Sequence, residues 1–239
     1  MIPILKKEFN SFFASPIAYL VIGLFLVING LFLWIFKDEF NILNAGFADL
    51  NSFFYLSPWI FLFLIPAITM KSFADEFNNG TIEILKTSPI SNWQIVLGKF
   101  FASLLLVIVA LTPTFIYVYT VYQLGNPVGN IDFGSTIGSY VGLLFLASTY
   151  VSIGLFTSTL SKNQIVAFLL AVFITFFFFY GFDAISTSLE NENLAIKKFG
   201  INEHFKSISK GVIDTRDIIY FLSLTIFFLF ITKLKLENE

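Results

Sequence analysis

Lys71-Ser72-Phe73-Ala74-Asp75-Glu76-Phe77-Asn78-Asn79-Gly80-Thr81-Ile82-Glu83 opens a polar segment, Lys71 to Lys99, set between two long runs without a charge, Leu50 to Met70 and Phe100 to Leu124. A charge at mid-bilayer costs roughly 2.5–3.5 kcal/mol on insertion scales, so charges mark where a chain leaves hydrocarbon. Across the 239 residues only 13% are charged and 56% are hydrophobic, with 33 Phe, against about 25% charged in a soluble domain. The fold class expected is an all-α integral membrane protein.

Six charge-free runs follow from that rule, 17–36, 50–70, 100–124, 136–160, 163–182 and the shorter 218–232, the last read as a span over 215–232. At about 1.5 Å per residue the first five each cross roughly 30 Å of hydrocarbon. The sixth is lengthened by an N-cap at Asp214, stapled by Ile213 and Ile218, and by a snorkelling Lys233. Six spans place both termini on one side. Lys6, Lys7, Lys71, Lys86, Lys99, Lys162, Lys233 and Lys235 make that side cytoplasmic, against Lys37 alone in the two short outer loops. The outer loop 183–217 departs from the pattern, since Lys197, Lys198, Lys206, Lys210 and Arg216 are set there against Asp183, Glu190, Glu192, Glu203, Asp214 and Asp217.

Local signals refine this frame. Leu5, Phe9, Phe12 and Phe13 share one face of a helix ahead of the first span, with Lys6, Lys7, Asn10 and Ser11 opposite. That pattern fits an in-plane interfacial helix or a charged leader to the span. Ser91-Asn92-Trp93-Gln94 and Ser161-Lys162-Asn163-Gln164 both read as capping boxes, stapled by Ile90 with Ile95 and by Leu160 with Ile165. Pro58, Pro66 and Pro113 fall inside spans, as hinges or as packing features. In the outer loop Gly200 and Gly211 read as helix ends, with Phe205, Ile208 and Val212 on one face; the other reading is a solvated linker.

Catalytic patterns are missing. His204 is the one histidine, read as a solvated loop residue, and neither a His-Glu-x-x-His pair nor a Gly-x-Ser-x-Gly elbow occurs. Gly98-Lys99 is followed by Phe100 and lacks the glycines of a phosphate-binding loop, so the chain has no ATP-binding motif and no cofactor of its own is expected. The chain contains no cysteine to argue a disulfide or thiolate metal site from. No basic stripe of the nucleic-acid-binding kind appears. The charge-free runs lack the ionisable groups from which proton relays and ion-coupled sites are usually built. If the protein moves a substrate, the energy comes from outside the chain.

The polar segment supplies the contact. Met70 to Phe77 continues the second span, Asn78-Asn79-Gly80 stops it, and Thr81 caps a short helix with Glu83 in its first turn, Lys86 near its last and Pro89 at its end. Ile82 and Leu85 give that helix an apolar edge suited to a groove on a partner. Phe73-Ala74-Asp75-Glu76, Asn79-Gly80-Thr81-Ile82-Glu83-Ile84-Leu85, Thr87-Ser88-Pro89-Ile90-Ser91 and Gly98-Lys99-Phe100 resemble the signature of ABC-2 type transporter permeases. Lys162-Asn163-Gln164 and 205–221 match as well, and the pattern is most similar to the gliding-motility-associated permease subunit of the GldF type.

The resemblance implies a single transmembrane domain over 1–239, with an N-terminal interfacial helix and a cytoplasmic coupling helix between the second and third spans. It implies an ATPase-coupling interface at Asp75, Glu76, Gly80, Thr81, Glu83, Leu85 and Pro89. The partners implied are cytoplasmic ABC ATPase subunits, which bind the ATP, a second permease chain, identical or related, and membrane lipid, in a bacterial inner membrane. A rival expectation is a scaffold on which the same segment docks an ATPase or motility machinery and nothing crosses.

Overall fold

The computed structural model describes residues 1–44, 46–87, 89–188, 194–211 and 214–238. Among them there is no strand, and six helices are long and apolar enough to span a membrane: Pro16–Ile35, Asn51–Asn78, Asn92–Leu124, Phe133–Ser158, Gln164–Ser188 and Thr215–Glu237. Each contains or overlaps one of the six expected runs. The third begins at Asn92 rather than 100, where the Ser91 box forms: Ser91 Oγ accepts from Gln94 N and Gln94 Oε1 accepts from Ser91 N. The second box does not form. Asn163 is the cap instead, accepting from Ile165 N at 2.9 Å, because Ser161 is spent on Asn163 N.

Helix α1 (Ile2–Ala14) stands apart from α2 (Pro16–Gly30) at Ser15, whose extended backbone breaks the helix before Pro16. A π-helical turn, Leu31–Ile35, completes the first span. The second span is α3 (Asn51–Thr69) continued by α4 (Lys71–Asn78), with Pro58 and Pro66 inside α3 and Met70 N still bonded to Pro66 O. The third is α6 (Asn92–Leu111) and α7 (Phe115–Leu124), joined by a 3-10 turn at Pro113 that absorbs its missing donor. Helix α8 (Phe133–Ser158) is unbroken. The fifth span joins α9 (Gln164–Phe176), a π-helical turn (Phe177–Gly181) and α10 (Phe182–Ser188). Helix α13 (Thr215–Glu237) is the sixth, capped by Asp214, which accepts from Arg216 N; Ile213, its expected staple partner, lies outside the described residues.

The spans divide into two groups. The second, third and fourth are 72%, 61% and 72% buried within the chain, whereas the first, fifth and sixth are 28%, 22% and 33% buried. Apolar surface that the protein itself does not cover, such as Leu20, Leu24, Leu169, Phe173, Ile226 and Phe227, is what a lipid environment accepts. The innermost helix, α8, touches α3, α6, α9 and α13. At Gly154 it comes so close to α3 that an added Cβ would land on Thr69 Oγ1 and 2.9 Å from Thr69 Cβ. Small residues at such a crossing let two backbones approach.

The outer loop forms a packed helix, so the solvated-linker reading fails. After the short helix α11 (Leu194–Lys197), helix α12 (Ile201–Ser209) starts at Gly200, stops before Gly211 and buries Ile201, Phe205 and Ile208 against α8 and α13. Val212, Glu190 and Glu192 lie outside the described residues, as do Ser88 and the side chains of Ile84 and Lys86. The expectation that the spans are free of ionisable groups fails at their ends. Glu76 and Lys99 are drawn into one end of the bundle, and Asp183 and Asp217 into the other.

Candidate coupling site

At 28 residues, Asn51–Asn78 is about 42 Å long, so α4 carries the second span beyond the hydrocarbon thickness as one near-continuous rod. Ser72, Phe73 and Ala74 are its buried face. Asn79 N closes the last turn on Asp75 O, and Gly80 turns the chain at φ +70°, a left-handed conformation that costs a side-chain-bearing residue about 1–2 kcal/mol. Helix α5 (Ile82–Thr87) starts at once, with Leu85 N bonded to Thr81 O and Thr81 Oγ1 donating back to Glu76 O at 3.5 Å.

The root of this hairpin is ionic. Lys99, 2% exposed, donates from Nζ to Glu8 Oε1 at 2.9 Å, to Glu76 Oε1 at 2.9 Å and to Ser72 O at 2.7 Å, with the Phe73 ring centroid 5.0 Å away. An ammonium has three donors, and all three are used. One side chain on the third span thereby holds α1, the second span and its extension together. Gly98, its neighbour, has a matching role: a Cβ there would lie 2.9 Å from Ile4 Cβ, so the missing side chain admits α1. Ile4 and Glu8 are one helical turn apart, and α1 turns this stripe into the bundle together with Phe12 and Phe13 of the expected face, while Leu5 and Phe9 stay half-buried. A cavity of about 180 Å³ beside the cluster is lined by Lys7, Ser11, Lys71 and Asp75, among others.

A second tie reaches the fifth span. Gln164 Nε2 donates to Asp75 Oδ1. The side chain expected to complete a capping box thus crosses to the second span. The turn before α9 and the hairpin also enclose an open cleft of about 510 Å³, lined by Phe77, Gly80, Ile82, Glu83, Thr159, Leu160, Ser161 and Lys162.

The seven expected interface residues therefore fall into two sets. Gly80, Thr81, Glu83 and Pro89 are exposed. Asp75 and Glu76 are half-buried and bonded inward, to Gln164 and Lys99. Leu85 is half-buried against the core and Ile82 is buried in it, so the apolar edge of α5 faces its own bundle and not a partner's groove. The short helix saves its apolar residues for the bundle because its polar ones alone can stay in water. Sequence reasoning missed Glu8 and read Lys99 only as a cytoplasmic-side lysine and as part of the Gly98-Lys99-Phe100 signature. The signal for both was Gly98-Lys99, a gap next to a cation, facing an acid on a preceding helix.

At the opposite end His204 is no solvated loop residue. Its Nδ1 lies 2.6 Å from Asp217 Oδ1, its Nε2 lies 2.8 Å from Lys198 O, and its ring stacks on Tyr220 at 3.9 Å between centroids. Tyr220 in turn donates to Phe199 O at 2.6 Å. These bonds pin α12 and the chain before it to α13.

Six spanning helices, a helical hairpin extending from one end and the lack of an ATP-binding motif in the sequence describe a multi-pass membrane protein. The sequence profile of the ABC-2 family transporter proteins matches residues 2–211, and the chain belongs to that family. It is accordingly the membrane-spanning subunit type of an ABC transporter, whose members work with an ABC ATPase. No curated protein matches the chain.

Proposed function

We propose that the chain, as one transmembrane domain over 1–239, is a permease half that couples ATP hydrolysis on a separate cytoplasmic ABC ATPase to export of a substrate. The exposed tip formed by Gly80, Thr81, Glu83 and Pro89 is the contact with the ATPase. Asp75 and Glu76 pass its displacement inward, through Gln164 to the fifth span and through Lys99 to the third span and α1. What carries this reading is the rigid connection: one rod from the tip into the bundle, tied at its root to three other elements. Two packings of the bundle, selected by ATPase closure, would then expose the pathway to alternate sides. A second permease chain completes the pathway, the membrane is a bacterial inner membrane, and both termini are cytoplasmic. Resemblance alone supports the narrower assignment to a gliding-motility system.

Glu83→Lys tests the tip. In proteoliposomes with the cognate ATPase, it abolishes stimulation of ATP hydrolysis while the thermal unfolding of the permease stays within about 0.5 kcal/mol of wild type, as for an exposed site. Unchanged stimulation refutes the assignment. Cysteines placed in the second and fifth spans separate transport from scaffolding, because a scaffold shows no nucleotide-dependent change in their accessibility.

A further inference from the structure

The cleft of about 510 Å³ between the hairpin and the turn that joins α8 to α9 lies in the size range of ligand pockets, about 300–1,000 Å³. Its apolar lining comes from both sides: Phe77 of α4 and Ile82 of α5 on the hairpin, and Leu160, 44% exposed, on the turn. Its charged lining is one residue of each sign, Glu83 on the hairpin and Lys162 on the turn. Both are exposed, and neither has an ion-pair partner among the described residues. An apolar recess under a polar, solvent-accessible rim is the layout of a protein interface.

Ile82 and Leu85 are turned toward the bundle, so α5 projects no apolar edge into a partner, and the apolar surface left beside it is recessed in this cleft. Gly80 and Glu83 belong both to the cleft and to the exposed tip, which makes the two surfaces continuous. Complementarity at this end is therefore the reverse of a helix inserted into a groove: the chain supplies the socket. We infer that the cleft receives an anchor from the ABC ATPase, a large apolar side chain on an exposed segment of that subunit, with a basic neighbour set on Glu83 and an acidic one on Lys162. This rests on the permease reading and deepens it, because the ATPase then grips the turn before α9 as well as the hairpin. A tip that only abuts its partner transmits a push, whereas an anchored side chain also transmits a pull. That pull reaches the second span through the hairpin and the fifth through the turn, whose neighbour Gln164 is bonded to Asp75.

The chain has no cysteine, so introduced single cysteines report each surface. In nanodiscs, alkylation of Leu160→Cys and Ser161→Cys in the cleft, and of Thr81→Cys and Pro89→Cys at the tip, by N-ethylmaleimide is followed by mass spectrometry with and without the purified cognate ABC ATPase. Binding slows all four at least tenfold. Slowing at 81 and 89 with unchanged labelling at 160 and 161 overturns the socket and leaves the tip contact standing, whereas unchanged labelling at all four overturns both. Leu160→Trp then distinguishes a cleft that is entered from one that is merely covered. By filling the mouth it raises the Kd for the ATPase at least tenfold, with the unfolding midpoint of the chain unchanged. Lys162→Glu, at an exposed position, reverses one rim charge without adding bulk; it raises the Kd about three- to tenfold, and by less at about 1 M salt, where the Debye length falls to about 3 Å. It decides alone if Leu160→Trp folds poorly. Wild-type affinity in Lys162→Glu, or in a folded Leu160→Trp, overturns the inference.

Discussion

Replacing Lys99 by methionine keeps the apolar stem in its slot and deletes the ammonium. Three bonds of 2.7–2.9 Å disappear together, and Glu8 and Glu76, whose side chains are only 16% and 12% exposed, lose the ammonium between them and are left with the weaker influence of Lys7. Removing one partner of a buried ionic cluster costs about 3–5 kcal/mol, mostly the penalty on the charges left behind. For a chain of this size that is a fall of roughly 10 °C in the unfolding midpoint, read by fluorescence-detected size-exclusion of heated samples. The sign of a second substitution makes the argument specific. Glu8→Gln alone destabilises, but added to Lys99→Met it restores part of the loss, because it discharges one stranded carboxylate. A double-mutant cycle then gives an interaction of about 0.5–3 kcal/mol. A Lys99→Met protein that melts within 1 kcal/mol of wild type, or two substitutions that simply add, would show that the cluster does not hold the hairpin root.

The other predictions concern packing and the far end. Gly154→Val forces α8 away from Thr69 and costs about 1–3 kcal/mol by overpacking, seen as a lower melting midpoint, while Thr69→Gly in the same chain recovers part of it. His204→Phe keeps the stack on Tyr220 but strips Asp217 Oδ1 of its donor; it costs about 1–3 kcal/mol and raises proteolytic cleavage between α12 and α13, which an intact wild-type cleavage pattern would contradict.

How much of this was legible in the sequence depends on the range of the cause. The six spans follow from where charges sit, and the Ser91 cap and the ends of α12 follow from residues within a few positions of one another. The Ser161 box looked equally good, yet Asn163 out-competed it for the cap and left Gln164 available to Asp75, a partner 89 positions away. Lys99 at the head of an apolar run is indistinguishable by pattern from a snorkelling lysine; its burial is decided by Glu8 and Glu76, 91 and 23 residues distant. Ile82 and Leu85 were correctly seen as an apolar edge, but which way an edge turns is set by what lies behind it. The π-helical turns carry no local signature, since Leu31–Ile35 and Phe177–Gly181 read as ordinary apolar helix.

Helix α8 has protein on most sides, and much of its polar content is tied to its own carbonyls, as in the bonds from Ser152, Thr157 and Ser158 to residues three back. Such a helix works like a fixed axle: it cannot tilt or rotate alone without colliding with α3, α6, α9 and α13 at once. Rearrangement therefore has to come from movement of the other spans around it, and changes in bilayer thickness or tension, felt most by the thinly covered first, fifth and sixth, act on the axle at second hand.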